Sequence, residues 1–130
     1  MKTVFAALLP ALLSISAGAA PDERLTAKML DELVHEMNVM HLPVRFENGT
    51  TLARVKRLGR TLIFDVTGNA RSNWVTVQAE VKSGIFQRKA CADEQQRKLL
   101  KMDVSFAWSY IDTKGERLGA AVLKPADCGF

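Results

Sequence analysis

The stretch NWVTVQAEVKSGIFQRKAC, residues 73–91, decides the architecture, because it separates two segments that each read as a β-hairpin. As a strand it places Val75, Val77, Ala79 and Val81 on one face. As a helix it aligns Trp74, Val77, Val81 and Ile85 on one stripe. Gln78, Ala79, Glu80 and Lys82 favour the helix. We take a helix from about Asn73 to Cys91, loosened at Ser83-Gly84, with the strand reading of 74–81 as the alternative. A second helical piece is expected to follow, capped by Asp93 and running to Leu100.

Upstream, Thr50 to Lys56 and Thr61 to Thr67 are rich in Thr, Val, Leu, Ile and Phe. They flank Arg57-Leu58-Gly59-Arg60. Leu-Gly is not a favoured two-residue turn, so a slightly longer loop with Gly59 at positive φ is expected. Leu62, Phe64 and Val66 share one face, which should be the inner one. Val44-Arg45-Phe46 reads as a short extended piece before an Asn48-Gly49 turn. Downstream, Val104 to Ile111 and Glu116 to Leu123 flank Asp112-Thr113-Lys114-Gly115, whose Asp and Gly suit a hairpin loop. Phe106, Trp108 and Tyr110 share one strand face.

A helix should open the domain, from about Asp22 to Met40. Leu25, Met29, Leu33, Met37 and Met40 recur at helical spacing, and Pro43 stops the run. The order is therefore helix, hairpin, helix, hairpin: one small α+β layered domain, residues 20–130, with an antiparallel sheet.

Residues 1–19 read as a cleavable export signal. Lys2 supplies the positive start, Val4 to Ile15 the apolar stretch, and Ala17-Gly18-Ala19 the small residues before a cut. The run is interrupted by Pro10 and falls short of the about 20 residues a bilayer span needs. No later segment is apolar enough to span a membrane, so the processed chain is expected to be soluble, in the periplasm or secreted.

Export also sets the expected state of the two cysteines. Cys91 and Cys128 meet an oxidising compartment, have no CxxC spacing and no nearby His, and should form a disulfide. Closing that loop stabilises by about 4 kcal/mol as an upper guide.

No pattern for nucleophilic catalysis, phosphate binding or dinucleotide binding is present. His35 and His41 are six apart and lie on different helix faces. Asp31 and His35 share a face, but further ligands are not evident, so no metal and no cofactor are expected. Two surfaces remain. Residues 45–101 hold twelve Lys/Arg against five Asp/Glu, and Arg54, Lys56, Arg57 and Arg60 cluster on one hairpin. That cluster suits an acidic protein or envelope component, with the acidic side of the first helix as an internal competitor. Aromatic interleaving is missing, which excludes a single-strand nucleic-acid platform. The face of Phe106, Trp108 and Tyr110 suits either core packing or a ligand platform.

Certain residues also carry a resemblance. They are Leu42-Pro43, Thr51-Leu52 with Val55, Leu62-Ile63-Phe64, Cys91 with Arg97-Lys98-Leu99-Leu100, Tyr110-Ile111-Asp112 with Gly115, and Asp127-Cys128. In that order they resemble small exported bacterial proteins, and most of all the quorum-sensing-regulated secreted proteins of pseudomonads. The resemblance spans essentially the whole chain. It implies an α/β layered domain outside the cytoplasm and an association with virulence regulation, and it transfers no catalytic residue. The expected function is an exported, non-enzymatic interaction protein, with homodimer formation as one outcome. The alternatives are a periplasmic small-molecule or envelope-polymer binding protein and, at lower weight, a secreted hydrolase.

Overall fold

The computed structural model describes residues 25–130. The expected cut after Ala19 and the expected helix start at Asp22 lie outside them. Helix α1 spans Ala27–Glu36 and continues as a π turn, Met37–His41. Thr26 caps it, its hydroxyl accepting from the Met29 N–H. A β-meander follows: β1 (Val44–Arg45), β2 (Thr50–Leu58) and β3 (Thr61–Gly68). Three helices come next: α2 (Ala70–Ser83), α3 (Ile85–Ala92) and α4 (Glu94–Lys101). The chain ends with β4 (Ser105–Ile111), β5 (Arg117–Leu123) and a 3-10 turn, Pro125–Cys128.

Residues 73–91 are helical, as the stripe predicts. The break falls at Gly84, whose φ of 81° ends α2 in the left-handed conformation that glycine adopts without strain. Asp93 caps α4 by accepting from the N–H groups of Gln95 and Gln96. The hairpin loop is tighter than expected. Leu58 pairs directly with Thr61, so Gly59-Arg60 alone make the turn. Gly59 has φ 60° and Arg60 is not positive, the pattern of a II′ turn with glycine first.

The five strands lie in the order β1-β2-β3-β4-β5. Each hairpin is antiparallel, but β3 and β4 are parallel, so the sheet is mixed rather than purely antiparallel. The reason is topological. Parallel neighbours need a long crossover, and α2–α4 supply it. Register then fixes the faces. Leu62, Phe64 and Val66 stand beside Phe106, Trp108 and Tyr110 on the inner face. The bulge between Leu52 and Arg54 lets Leu52 and Val55, three apart, both point inward.

The described helices all pack on that inner face. Leu30 and Leu33 of α1, Met37 of the π turn, Val77 of α2, Phe86 of α3 and Leu99 and Leu100 of α4 are buried with it. Phe64, Phe106 and Trp108 stack with ring centroids 5.8–6.4 Å apart, and Phe86 meets Trp108 edge-on at 5.6 Å. Cys91 and Cys128 are bridged across 5.4 Å between Cα atoms, tying α3 to the C-terminal turn. Beside the bridge, the Gln87 side chain donates to the Asp127 carbonyl at 2.6 Å.

Candidate functional site

Two surfaces carry the polar chemistry: the outer face of the sheet and a cavity under α2. The cations of the β2–β3 hairpin divide between roles. Arg57 turns to the helix side and binds Asp31 of α1 twice, Nε to Oδ1 at 2.7 Å and Nη2 to Oδ2 at 3.1 Å. That contact holds the Asp31 carboxyl below its usual range. Arg60 donates to three carbonyls, those of Leu25 at 2.7 Å, Met102 at 2.8 Å and Asp103 at 2.8 Å. Met102 and Asp103 follow the C-terminal end of α4, where carbonyls lack helical partners and a cation is favoured. Arg60 thus fastens the turn to the ends of two helical segments.

Arg54 and Lys56 point the other way, to the outer face, paired across the strands with Asp65 and Ile63. Arg54 binds Asp65 through Nε at 2.6 Å, yet its side chain remains 66% exposed. Asp65 itself is buried, and its Oδ1 accepts no hydrogen bond. Ile63, Ala107, Ser109 and Ile111 continue this face, and Gly115 and Arg117 close it from the second hairpin. Together they line a shallow groove of about 280 Å³, small in its middle and cationic at its borders. Arg117 is the member that reading the first hairpin alone misses. Its signal is the register, which sets it opposite Ile111.

The two sheet edges differ as well. Asn38, in the π turn, pairs with β2 beyond the reach of β1: its amide donates to the Val55 carbonyl at 2.8 Å and accepts from the Val55 N–H at 2.9 Å. At the opposite edge, among the described residues, no strand pairs with the free side of β5.

The aromatic run is mainly core. Phe106, Trp108 and Tyr110 are 0%, 1% and 6% exposed. Trp108 and Tyr110 also floor the cavity under α2, of about 220 Å³, with Phe46, Asn48, Asn73, Thr76 and Glu80 around it. An Asn48–Asn73 hydrogen bond of 3.1 Å joins the β1–β2 turn to α2 beside the cavity. Burial, with the Glu80 charge, raises the Tyr110 phenol to about 12. Trp74, half-buried, packs against Tyr110 at 5.3 Å. Among the described residues, no group of three or more His, Cys, Asp or Glu side chains could hold a metal ion. His35 is exposed on α1, and His41 ends the π turn. No described helix is long and apolar enough to cross a membrane.

No protein-family model matches the chain, and no curated protein matches it. Among the solved structures that match, two share its fold with TM-scores above 0.6. One is a protein of Pseudomonas aeruginosa assigned as secreted, with TM-score 0.63 and 15% identity, covering 78% of this chain and 91% of that one. The other is a pilotin of the Vibrio vulnificus type 2 secretion system, with TM-score 0.61 and 16% identity, covering 79% of this chain and 91% of that one.

Proposed function

We propose that this chain is an exported, non-catalytic interaction protein of the bacterial envelope, whose outer sheet face receives an acidic segment of a partner. The observation that carries the reading is the one-sidedness of the sheet. Every described helix lies on one face, while the other presents Arg54, Lys56 and Arg117 around a shallow groove. Cations at the border of a concave surface steer an acidic partner and fix its register more than they add affinity. Arg54 keeps its Nε on Asp65 and turns its exposed remainder outward. Lys56 and Arg117 are exposed as well. Arg57 and Arg60, grouped with them in sequence, contribute by holding the hairpin in place.

The export signal read in the sequence of residues 1–19 and the bridge support an extracytoplasmic location. The fold supports the same reading, since it is shared with a protein assigned as secreted and with a secretion-system pilotin. Membership of an envelope assembly, and regulation by quorum sensing in a virulence context, belong to this proposal. The first draws on the pilotin's fold, the second on the sequence resemblance.

A photo-crosslinking residue at Val122 of the exported protein tests it, with Gln87 on the helix side as control. A discrete adduct should form from Val122. It should weaken with salt and disappear in an Arg54→Glu, Lys56→Glu, Arg117→Glu chain. An adduct that survives the reversal, or forms equally from Gln87, overturns the assignment. An adduct with a second copy of the chain means that the face self-associates.

A further inference from the structure

The cavity between α2 and the sheet stands apart from the outer groove, on the other face, and no part of the interaction reading uses it. Its volume of about 220 Å³ is below the range usual for drug-sized ligands, so it suits a compact molecule. Three features narrow the chemistry. Phe46, Trp108 and Tyr110 supply aromatic walls. Glu80, whose side chain is 22% exposed, supplies the one formal charge among the lining residues, and its ion-pair partner is Lys89 at 3.4 Å. Asn48, Thr50, Asn73 and Thr76 bring polar groups. Asn48 is already engaged: its carbonyl oxygen accepts from the Thr50 N–H and hydroxyl, and its amide donates to Asn73. Tyr110 lies on the floor of the cavity, its side chain almost wholly buried.

A carboxylate beside aromatic faces attracts a cation by Coulomb force and by the ring quadrupoles, and partial desolvation strengthens both. An anion meets no cationic residue among those lining the cavity and faces the Glu80 carboxylate. The phenol stays protonated to high pH, so it adds a neutral donor rather than a second charge. We propose that this cavity binds a small organic ammonium group, with Glu80 as its counter-ion and Phe46, Trp108 and Tyr110 as its aromatic walls. The same group occurs free, as in ethanolamine or choline, and on lipid headgroups.

The test titrates the full exported chain with choline chloride and with ethanolamine hydrochloride, followed by tryptophan fluorescence and calorimetry. Neutral 3,3-dimethylbutan-1-ol serves as the isostere of choline. Both cations should saturate, and the isostere should bind at least about tenfold more weakly, a difference of about 1.4 kcal/mol. Glu80→Gln should lose the preference for the cation without loss of the fold, because the ion pair it removes is a long one to the exposed Lys89. Thr76→Trp, at an exposed position on the lining, should block both cations by filling the space. Sedimentation with ethanolamine-headgroup vesicles, chased by free ethanolamine, separates the sources. Co-sedimentation that free amine reverses assigns the headgroup, and binding of free amine alone assigns the soluble ligand. Equal binding of the neutral isostere, an unaltered preference in Glu80→Gln, or no saturable binding of either cation overturns the proposal.

Discussion

The two faces of one sheet make opposite use of neighbouring residues. Along β3, Leu62, Phe64 and Val66 are at most 5% exposed beneath the helices, while Ile63 and Asp65 between them face outward. The same holds in β4, where Phe106 and Trp108 alternate with Ala107 and Ser109. The inner face is large and aromatic, and it holds the domain together. The outer face is small and buried in its middle, at Asp65, Ala107 and Ser109, and carries long cations at its margin, where change costs the fold little. A strand with a period of two can serve stability and recognition at once, provided that register does not slip.

The sharpest way to break this comparison is to truncate one residue on each face. Trp108→Ala should cost about 3–5 kcal/mol, since Trp108 is 1% exposed and meets Phe64, Phe86 and Phe106. Val122→Ala, at a site 47% exposed on the outer face, should stay within about 0.5 kcal/mol. Denaturant midpoints of the two variants settle the matter, and similar losses would mean that both faces are core.

Much of this division is legible in sequence, because it rests on alternation. The aromatic run of β4 and the apolar run of β3 name the inner face directly. What alternation does not show is which way a cation points when its neighbours are also cations. Arg54, Lys56, Arg57 and Arg60 look alike as a cluster. Only the bulge after Leu52 and the tight Gly59-Arg60 turn send Arg57 to Asp31 and Arg60 to the helix ends. The parallel pairing of β3 with β4 was hidden for a similar reason: each hairpin reads as antiparallel by itself, and their mutual direction depends on the path of three helices. Asn38 gave no signal, because an amide that pairs with a distant strand resembles any surface amide of a helix.

Removing the bridge is the next largest change. Cys91→Ser should lower stability by about 4 kcal/mol at most, from the freed loop entropy. The loss should appear equally in the reduced wild-type chain. A smaller loss means that the turn beside Cys128 is held by its local contacts, such as Gln87 to Asp127. Gly119→Ala probes the inner face at the edge strand. A Cβ there would collide with the Trp74 ring, so the ring must leave its place on Tyr110. A cost of about 1–3 kcal/mol and a shift in tryptophan emission are expected.

Within the cation cluster, Arg60→Ala and Lys56→Ala make the comparison at closer range. Arg60 satisfies three carbonyls, so its loss should cost about 1–3 kcal/mol. Lys56 is exposed on the outer face, and its loss should stay within about 0.5 kcal/mol. Equal effects in thermal melts would show that the hairpin does not divide its charges between fold and surface.

The finest test uses pH, because the two limbs of the stability profile report different regions. Tyr110, on the inner face, ionises near 10 when unfolded and near 12 when folded. A raised folded value leaves stability intact below pH 10 and removes it as the pH climbs toward 12, by about 2–3 kcal/mol in all. Tyr110→Phe should abolish that alkaline loss. The acid limb draws on Asp31 of α1, held low by Arg57, and on Asp112 at the margin of the sheet. Asp112 is held below its ordinary 3.8, first by the Glu116 N–H and also by the Lys114 N–H and Arg71. A depressed folded value gives stability that is complete above about pH 4 and is lost as pH falls through the folded value. Asp112→Asn keeps an acceptor for the turn but nothing to protonate, so its melting temperature should change less between pH 5 and about pH 3 than that of the wild-type chain. Because the carboxylate organises the β4–β5 turn next to Arg117, the same acidification should loosen the border of the outer groove while the aromatic near-ultraviolet signal of the core persists. Simultaneous loss of both signals would show that margin and core unfold as one unit, and the separation of the two faces would then be chemical but not energetic.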